Sequence, residues 1–226
     1  MTHPGAFRLS NWFNTQVISD PQDLQAIYRL RYRVYCEERG FLAPADYPDR
    51  LERDHFDDHS VNFAAFDQDG RIAAAVRLVG PGEARGLPFQ QHCPLFDDTV
   101  LPDPAQAGEV SRLVLNRGYR TSPAGDGTGT VVMEVYRAMY QFSREQGIRY
   151  WYAAMERSLV RMLARIGVVF ERIGPDADYC GPVAPYLLEL EGLDRRLTWC
   201  NPDLLQWLSS TPVRSWISPM AGIARF

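Results

Sequence analysis

The chain has 226 residues, 46% of them hydrophobic and 12% aromatic, which suits one domain with a full core, or one domain and a modest extension. A formal net charge of −4 gives no general nucleic-acid footprint. The N-terminus lacks a signal pattern, no run approaches the roughly 18 apolar residues of a spanning helix, and Cys36, Cys93, Cys180 and Cys200 are scattered without a CxxC pair, so a cytoplasmic protein with reduced thiols and no stable membrane insertion is expected.

Residues 1–20 hold little pattern beyond Trp12, Phe13, Val17 and Ile18, and read as an N-terminal arm or an edge strand. Asp20-Pro21 is a helix start, with Ser19 or Asp20 as N-cap. From Pro21 to Glu38 the residues Leu24, Ile27, Tyr28, Val34 and Tyr35 recur at helical steps, and Gly40 ends the run. Arg31 falls on that apolar stripe, whereas Arg29 and Arg33 point away from it. A guanidinium facing a core must be paired, because burying an unpaired charge is strongly unfavourable. The nearest partners lie in Glu52-Arg53-Asp54-His55-Phe56-Asp57-Asp58, so an internal cation–carboxylate network is predicted, and such networks often mark sites.

Val61–Asp67 and Arg71–Val79 read as strands around the Gln68-Asp69-Gly70 turn. Gly80 to Gly108 is a long excursion with one short helix, and long ordered loops are usually functional. Glu109–Asn116 reads as a strand, Gly118 to Gly129 as a glycine-rich turn, and Val131 to Gln146 as a helix capped by Gly147. Strand Arg149–Met155, helix Arg157–Ile166 and strands Val168–Ile173 and Val183–Leu190 follow. Residues 191–226 read as a C-terminal extension with a short helix, Pro202–Leu208, and a tail. This order gives a mixed α/β (α+β) domain over residues 21–190 and no repeated βαβ unit, so a doubly wound sheet is not expected.

The strongest chemical signal is Glu109-Val110-Ser111-Arg112. Glu109 and Ser111 share a strand face, and Arg112 takes the other unless a bulge intervenes. A carboxylate at a strand end beside a cleft can take a proton from an attacking amine, the more so where low polarity raises its pKa; the alternative is that Glu109 only pairs with Arg31, Arg77 or Arg112. The loop Asn116–Gly129 is either a plain turn or a cradle for pantetheine or phosphate, since backbone N–H groups at a helix start favour anions. It holds neither a Walker sequence nor GxGxxG. Arg157, Arg161 and Arg165 form an i, i+4, i+8 stripe, which is a solvated face or a dock for an acidic carrier protein. His55-x3-His59 lacks a third metal ligand, and Cys93 beside Pro94 lacks nucleophile geometry.

Arg31-x3-Tyr35, Phe41, Asp54-x2-Asp57, Arg77 and Glu109-x-Ser111-Arg112 resemble, in order and spacing, the signature of acyl-homoserine-lactone synthases, which belong to the acyl-transferring branch of the GNAT superfamily. Arg31-Tyr32-Arg33-Val34-Tyr35-Cys36-Glu37-Glu38, Trp151-Tyr152-Ala153-Ala154-Met155-Glu156 and Ile173-Gly174-Pro175 further resemble PEP-CTERM/exosortase system-associated acyltransferases and N-acyl amino acid synthases. The resemblance implies a central mixed, mostly antiparallel sheet with a splayed cleft, flanked by helices. It also implies transfer of a fatty acyl group from acyl-carrier protein (ACP) or acyl-CoA to an amine, with no permanently bound cofactor, no metal and no covalent intermediate. Glu109, Ser111 and Arg112 are then the expected catalytic residues. Arg31, Tyr35, Phe41, Asp54, Asp57 and Arg77 are expected to line the acceptor pocket. The donor is expected along Val114, Leu115, Arg117, Gly118, Arg120, Gly125, Gly127, Trp151 and Met155. Tyr35 and Phe41 stand where lactone synthases usually have Phe and Trp, which turns the expected acceptor from S-adenosylmethionine toward an amino acid or small amine. A lactone synthase and a non-catalytic GNAT-like binding module are the alternatives.

Overall fold

A computed structural model of the protein describes residues 13–80, 86–120 and 127–210. Strand β1 (Asn14–Ile18) lies antiparallel to β2 (Ser60–Phe66), which makes a hairpin with β3 (Ile72–Val79). The edge-strand reading is therefore the one observed for Asn14–Ile18, while residues 1–12 of the expected arm lie outside the described residues. Asp67 closes the hairpin turn, accepting from the N–H groups of Asp69 and Arg71 through its side chain. Next come α2 (Pro88–His92), β4 (Ala107–Leu115), α3 (Gly127–Glu145), β5 (Tyr150–Met155) and α4 (Arg157–Arg165). The chain closes with β6 (Glu171–Arg172), β7 (Ala177–Asp178), β8 (Pro182–Glu189), α5 (Leu190–Cys200) and α6 (Pro202–Ser209).

The sheet runs β1-β2-β3-β4-β5-β8-β6, with β7 also on β8. Every pairing is antiparallel except β4 with β5. That parallel pairing covers only Ala107, Gly108 and Glu109 against Tyr150, Trp151 and Tyr152. Beyond it β4 continues along β3 to Leu115 while β5 continues along β8 to Met155. The sheet is thus two halves joined at one end and parted at the other, and the gap opens where Glu109 sits.

Alternation along the strands divides the core. Phe63, Val76, Leu78, Val110 and Trp151 face α3 together with the inward residues of α5 and α6. Ala64, Phe66, Ala75 and Val114 face α1 (Pro21–Tyr32), against Ile27 and Leu30. A third cluster, with Val79, Tyr152, Ile173 and Val183, is covered by Leu87 and Phe89 of the excursion. The excursion is tied down at its far end, where the Ile173 carbonyl accepts from Phe96 N–H and Thr99 Oγ1. Gly174 is confined there, since a Cβ would stand 2.1 Å from the Pro94 carbonyl oxygen.

Five elements differ from the sequence-based expectation, one of them the two-residue strand β7, which has no counterpart there. The helix predicted to Glu38 is α-helical only to Tyr32, and Arg33–Glu38 winds as a wider π-helix, with Arg39 N–H bonding the Val34 carbonyl at 3.0 Å. Apolar periodicity does not resolve that change of winding; π segments are frequent at functional sites. Helix α3 starts at Gly127 instead of Val131. The predicted strand Val168–Ile173 pairs only through Glu171 and Arg172, because Val168 and Phe170 turn into the core under α5. Helix α5 falls in the expected C-terminal helical extension but is not delimited in the sequence reading: Leu190, Leu193 and Leu197 are its buried stripe, and it follows β8 without a break or cap signal. Among the described residues no helix is long and apolar enough to cross a membrane.

Candidate active site

The site begins with an irregularity in β4. Arg77 of β3 stands opposite Ser111 and Ala75 opposite Val114, so two residues of β4 oppose one of β3. This is a β-bulge. Arg112 takes it up with φ of +54°, an uncommon angle for a residue with a side chain. The bulge rotates Arg112 onto the face shared by Glu109 and Ser111, which is the exception the alternation rule had left open.

On that face three arginines and three carboxylates close a network. Arg31 is fully buried, and its Nε donates to Glu52 Oε2 at 2.5 Å while Nη1 and Nη2 reach both oxygens of Asp57. Arg77, also fully buried, donates from Nε to Ser111 Oγ at 3.1 Å and from its two terminal nitrogens to Asp54. Arg112 donates to Glu52 Oε1 at 3.0 Å, to Asp54 Oδ2 at 3.1 Å and, more weakly, to Tyr179 Oη at 3.3 Å. Burial alone would raise the Asp54 carboxyl; the Arg77 hydrogen bonds and the charges of Arg77, Arg112 and Arg31 bring it down to about 2. The Asp57 carboxyl is lowered against burial by Arg31 and Arg77. All three pairs carry formal charges that cancel. Asp54, with 22% of its side chain exposed, is the member that most reaches solvent.

Aromatic rings flank the solvent side. The Arg112 guanidinium lies over Tyr35 at 5.5 Å and Tyr179 at 5.9 Å from the ring centroids, distances at which a cation is attracted to the ring face. Phe41 lies 6.4 Å from Tyr35. It also closes on the turn after Tyr179: a Cβ on Gly181 would meet the Phe41 ring at 2.9 Å. The π-helix contributes directly, because the Phe41 N–H returns to the Tyr35 carbonyl.

Glu109 is different in kind. It is fully buried, no guanidinium pairs with it among the described residues, and only the Phe89 N–H, 2.7 Å from Oε2, holds it. Oε1 has no hydrogen-bond partner. Burial pushes its carboxyl up to about 8, against the opposing pull of the Phe89 N–H, Arg77 and Arg112. A carboxyl in this state can exchange a proton near neutral pH.

The residues expected along the donor are spread over the parted strands. Val114 is buried against α1, and Leu115 lies on the opposite face toward α3. The Leu115 carbonyl accepts from Arg120, whose Nη1 pairs with Glu38 at 2.5 Å. Arg117 and Gly118 form a 3-10 turn after β4, Gly125 lies outside the described residues, and Gly127 is the first residue of α3. Trp151 and Met155 are core residues of β5 on the α3 side; Trp151 Nε1 donates to Ser143 Oγ at 2.9 Å. Next to Trp151 is a small apolar cavity lined by Met133, Tyr136, Leu163, Leu193 and Leu208 among others. Arg157, Arg161 and Arg165 are exposed on α4, and Arg157 reaches Asp176 at 2.6 Å. His55 and His59 are exposed, and Cys93 is buried with its thiol pushed up to about 11 by burial and by Glu109.

Sequence reasoning missed several contributors. Glu52 was foreseen as a source of charge but not as the bridge between Arg31 and Arg112, although its place in the acidic run was the available signal. Phe89, Tyr179 and His92, whose ring stacks on Tyr179 at 4.2 Å, come from irregular segments with no pattern to mark them.

Residues 30–128 match the family profile of the acetyltransferase (GNAT) domain. An acyl-homoserine-lactone synthase of Aeromonas salmonicida is 25% identical over 148 residues, 66% of this chain and 70% of that protein. The crystal structure of TofI in a ternary complex with an inhibitor and MTA superposes with a TM-score of 0.65 at 25% identity, covering 84% of this chain and 96% of that one. The N-acyl amino acid synthase FeeM, from uncultured soil microbes, shares the fold at 14% identity and a TM-score of 0.57, over 82% and 95% of the two chains. Fold and matched segment support an acyltransferase that carries a GNAT-type domain over residues 30–128. More particularly, it is an autoinducer-synthase-like N-acyltransferase.

Proposed function

We propose that the protein moves a fatty acyl group from the thioester of an acyl-carrier protein or acyl-CoA to the amine of an amino acid or other small amine, in the cytoplasm. The observation that carries this reading is the placement of an unpaired, sealed carboxyl, Glu109, where β4 and β5 part. The gap between the strands suits a pantetheine arm, and β4 backbone N–H groups facing it suit an oxyanion on the thioester carbonyl. Glu109 takes a proton from the acceptor's ammonium, and the freed amine attacks the carbonyl carbon. Collapse expels the thiolate, which takes the second proton from nitrogen, leaving an amide and a free thiol. Arg31, Arg77 and Asp57 hold the pocket floor, while Asp54, Arg112, Tyr35 and Phe41 face the acceptor. The cavity beside Trp151, which has room for about one water-sized group, would have to widen to take the distal part of an acyl chain. Catalysis is assigned to residues 21–190 and the remainder to an extension, whose helices α5 and α6 close that cavity through Leu193 and Leu208.

The phrases shared with exosortase-associated acyltransferases support a role linked to such a system. The exposed stripe of Arg157, Arg161 and Arg165 suits an acidic carrier protein as donor. A second reading, a lactone synthase that uses S-adenosylmethionine, is favoured by the names of the relatives. Purified protein offered acyl-carrier and acyl-CoA thioesters with pooled amino acids, or with S-adenosylmethionine, separates the two. Free thiol with N-acyl amino acid supports the first, methylthioadenosine release the second, and no thiol release in any mixture would leave a binding module.

A further inference from the structure

The excursion between β3 and β4 returns to the site as a tight knuckle. Gly86 enters it at φ +67°, where a Cβ would stand 2.7 Å from Gln90 Oε1. The same Gln90 oxygen accepts from the Leu87 N–H at 2.7 Å, fixing the first turn of α2. Two residues on, the Phe89 N–H reaches Glu109 Oε2 at 2.7 Å. The Phe89 ring, itself fully buried, stacks on Tyr152 with centroids 4.6 Å apart, and Tyr152 is the residue of β5 directly opposite Glu109. One side chain and its own backbone therefore both hold the carboxyl and roof it.

Resting on the reading of Glu109 as the base, we propose that Phe89 is its positioning residue: the backbone N–H commits Oε2, the ring shuts water out, and Oε1 alone is left to receive the acceptor's proton. The two parts act in opposite directions on the carboxyl. A hydrogen bond to the charged form favours ionisation, and exclusion of water opposes it. Exclusion dominates here, since burial is the largest influence on Glu109. The other groups that face it are Arg77 from β3, Arg112 from β4, Asp54 from the acidic loop, Cys93 after α2 and Tyr179 from the turn before β8. Cys93 is tied to Phe89 through the backbone, its N–H bonding the Phe89 carbonyl at 2.7 Å, and shortening the ring leaves that bond and the identity of every other group in place.

The test follows the Glu109 proton itself by infrared difference titration of the protonated carboxyl band, assigned by its absence in Glu109→Gln. The unmodified protein should titrate near 8. Phe89→Ala keeps the N–H and admits water, and should lower the midpoint by about one pH unit or more. Phe89→Leu keeps both the N–H and an apolar roof, and should restore most of the shift. In amine-dependent thiol release, Phe89→Ala should lower kcat more than it raises the KM for the amine. If Phe89→Ala does not fold, Gln90→Ala loosens the same knuckle through Leu87 and should shift the midpoint in the same direction. A midpoint unchanged by both substitutions overturns the proposal, as does an ordinary carboxylate midpoint in the unmodified protein. The infrared result stands apart from catalysis: absence of acyl transfer with a sealed, high-midpoint Glu109 would count against the proposed reaction, not against the roof.

Discussion

Glu52 and Arg112 meet at 3.0 Å across a 60-residue separation, and the other oxygen of Glu52 takes Arg31 Nε at 2.5 Å. A fully buried glutamate thus joins the first helix to the bulged strand. Replacing it takes a carboxylate from two guanidinium groups at once, leaving Arg31 with Asp57 alone and Arg112 with Asp54 and Tyr179. Removing one partner of a buried pair typically costs about 3–5 kcal/mol. Glu52→Ala should lose at least that much in a denaturant unfolding titration, and Glu52→Gln, which keeps one acceptor oxygen, should lose less. Equal stability of the alanine variant and the unmodified protein would refute the network as a structural joint.

Arg31→Met removes the opposite side. Asp57 would keep Arg77, whose Nη1 lies 3.1 Å from Asp57 Oδ2, but Glu52 would keep only Arg112. A loss of about 3–5 kcal/mol is expected, with weaker binding of the amine acceptor. Chemical denaturation checks the first and acceptor KM the second; a neutral outcome on both would remove Arg31 from the account.

Stability should respond to pH in two opposite ways. Asp54 has a folded-state pKa near 2, below its ordinary 3.8, so it contributes stability above 3.8 that is lost as pH falls through 2. Glu109 is raised from 4.5 to about 8. Between those values the unfolded chain releases this proton and the folded chain keeps it, so stability falls as pH rises from 4.5 to 8. Glu109→Gln should therefore gain on the unmodified protein across that window, with the difference levelling off above 8. Thermal melts of both proteins at pH 5 and pH 9 measure it, and a difference that does not grow with pH would contradict the sealed carboxyl.

Arg112→Lys keeps the charge but not the fork, which donates to Glu52, Asp54 and Tyr179 from separate nitrogens. It also loses much of the stacking between Tyr35 and Tyr179. Acceptor KM should rise roughly tenfold or more, since hydrogen bonds to charged groups are worth about 1.5–3 kcal/mol each. An unchanged acceptor KM would mean that Arg112 only scaffolds the pocket.

Arg31 shows what was legible in the sequence. Its place on an apolar stripe, with a carboxylate-rich loop following in the chain, is enough to predict a buried ion network, because charge in a core must be neutralised. The hairpin at Asp69-Gly70, helix α3 and the strand holding Glu109 were legible for a similar reason: periodicity and turn chemistry are local. The bulge at Arg112 was not, since two-versus-one pairing is a property of β3 and β4 together. Phe89 was hidden too, because a five-residue helix in a proline- and glycine-dotted loop has no periodicity to read. Tyr179 and Gly181 are set by contacts with Arg112 and Phe41, far away in sequence.

The arginine stripe on α4 offers a test of the donor. Reversing Arg157, Arg161 and Arg165 to Glu should raise the KM for acyl-carrier substrate several-fold. The unmodified rate should fall with added salt, because exposed charges are screened beyond about 10 Å at 0.1 M ionic strength. A short acyl-pantetheine should be used equally by both proteins. Equal losses on the two substrates would make the stripe structural, and no loss on either would move docking elsewhere.

The most direct test of the whole account is amine-dependent thiol release by purified Glu109→Gln across pH 6 to 9, beside the unmodified protein. The amide keeps the shape of the carboxyl and its contact with the Phe89 N–H but cannot take a proton. The unmodified enzyme should show kcat/KM rising with pH through about 8, and the variant, folded and binding donor normally, should be slower by about 10²–10⁴-fold with that rise gone. Turnover at the unmodified rate in Glu109→Gln would contradict the assignment of Glu109 as the base.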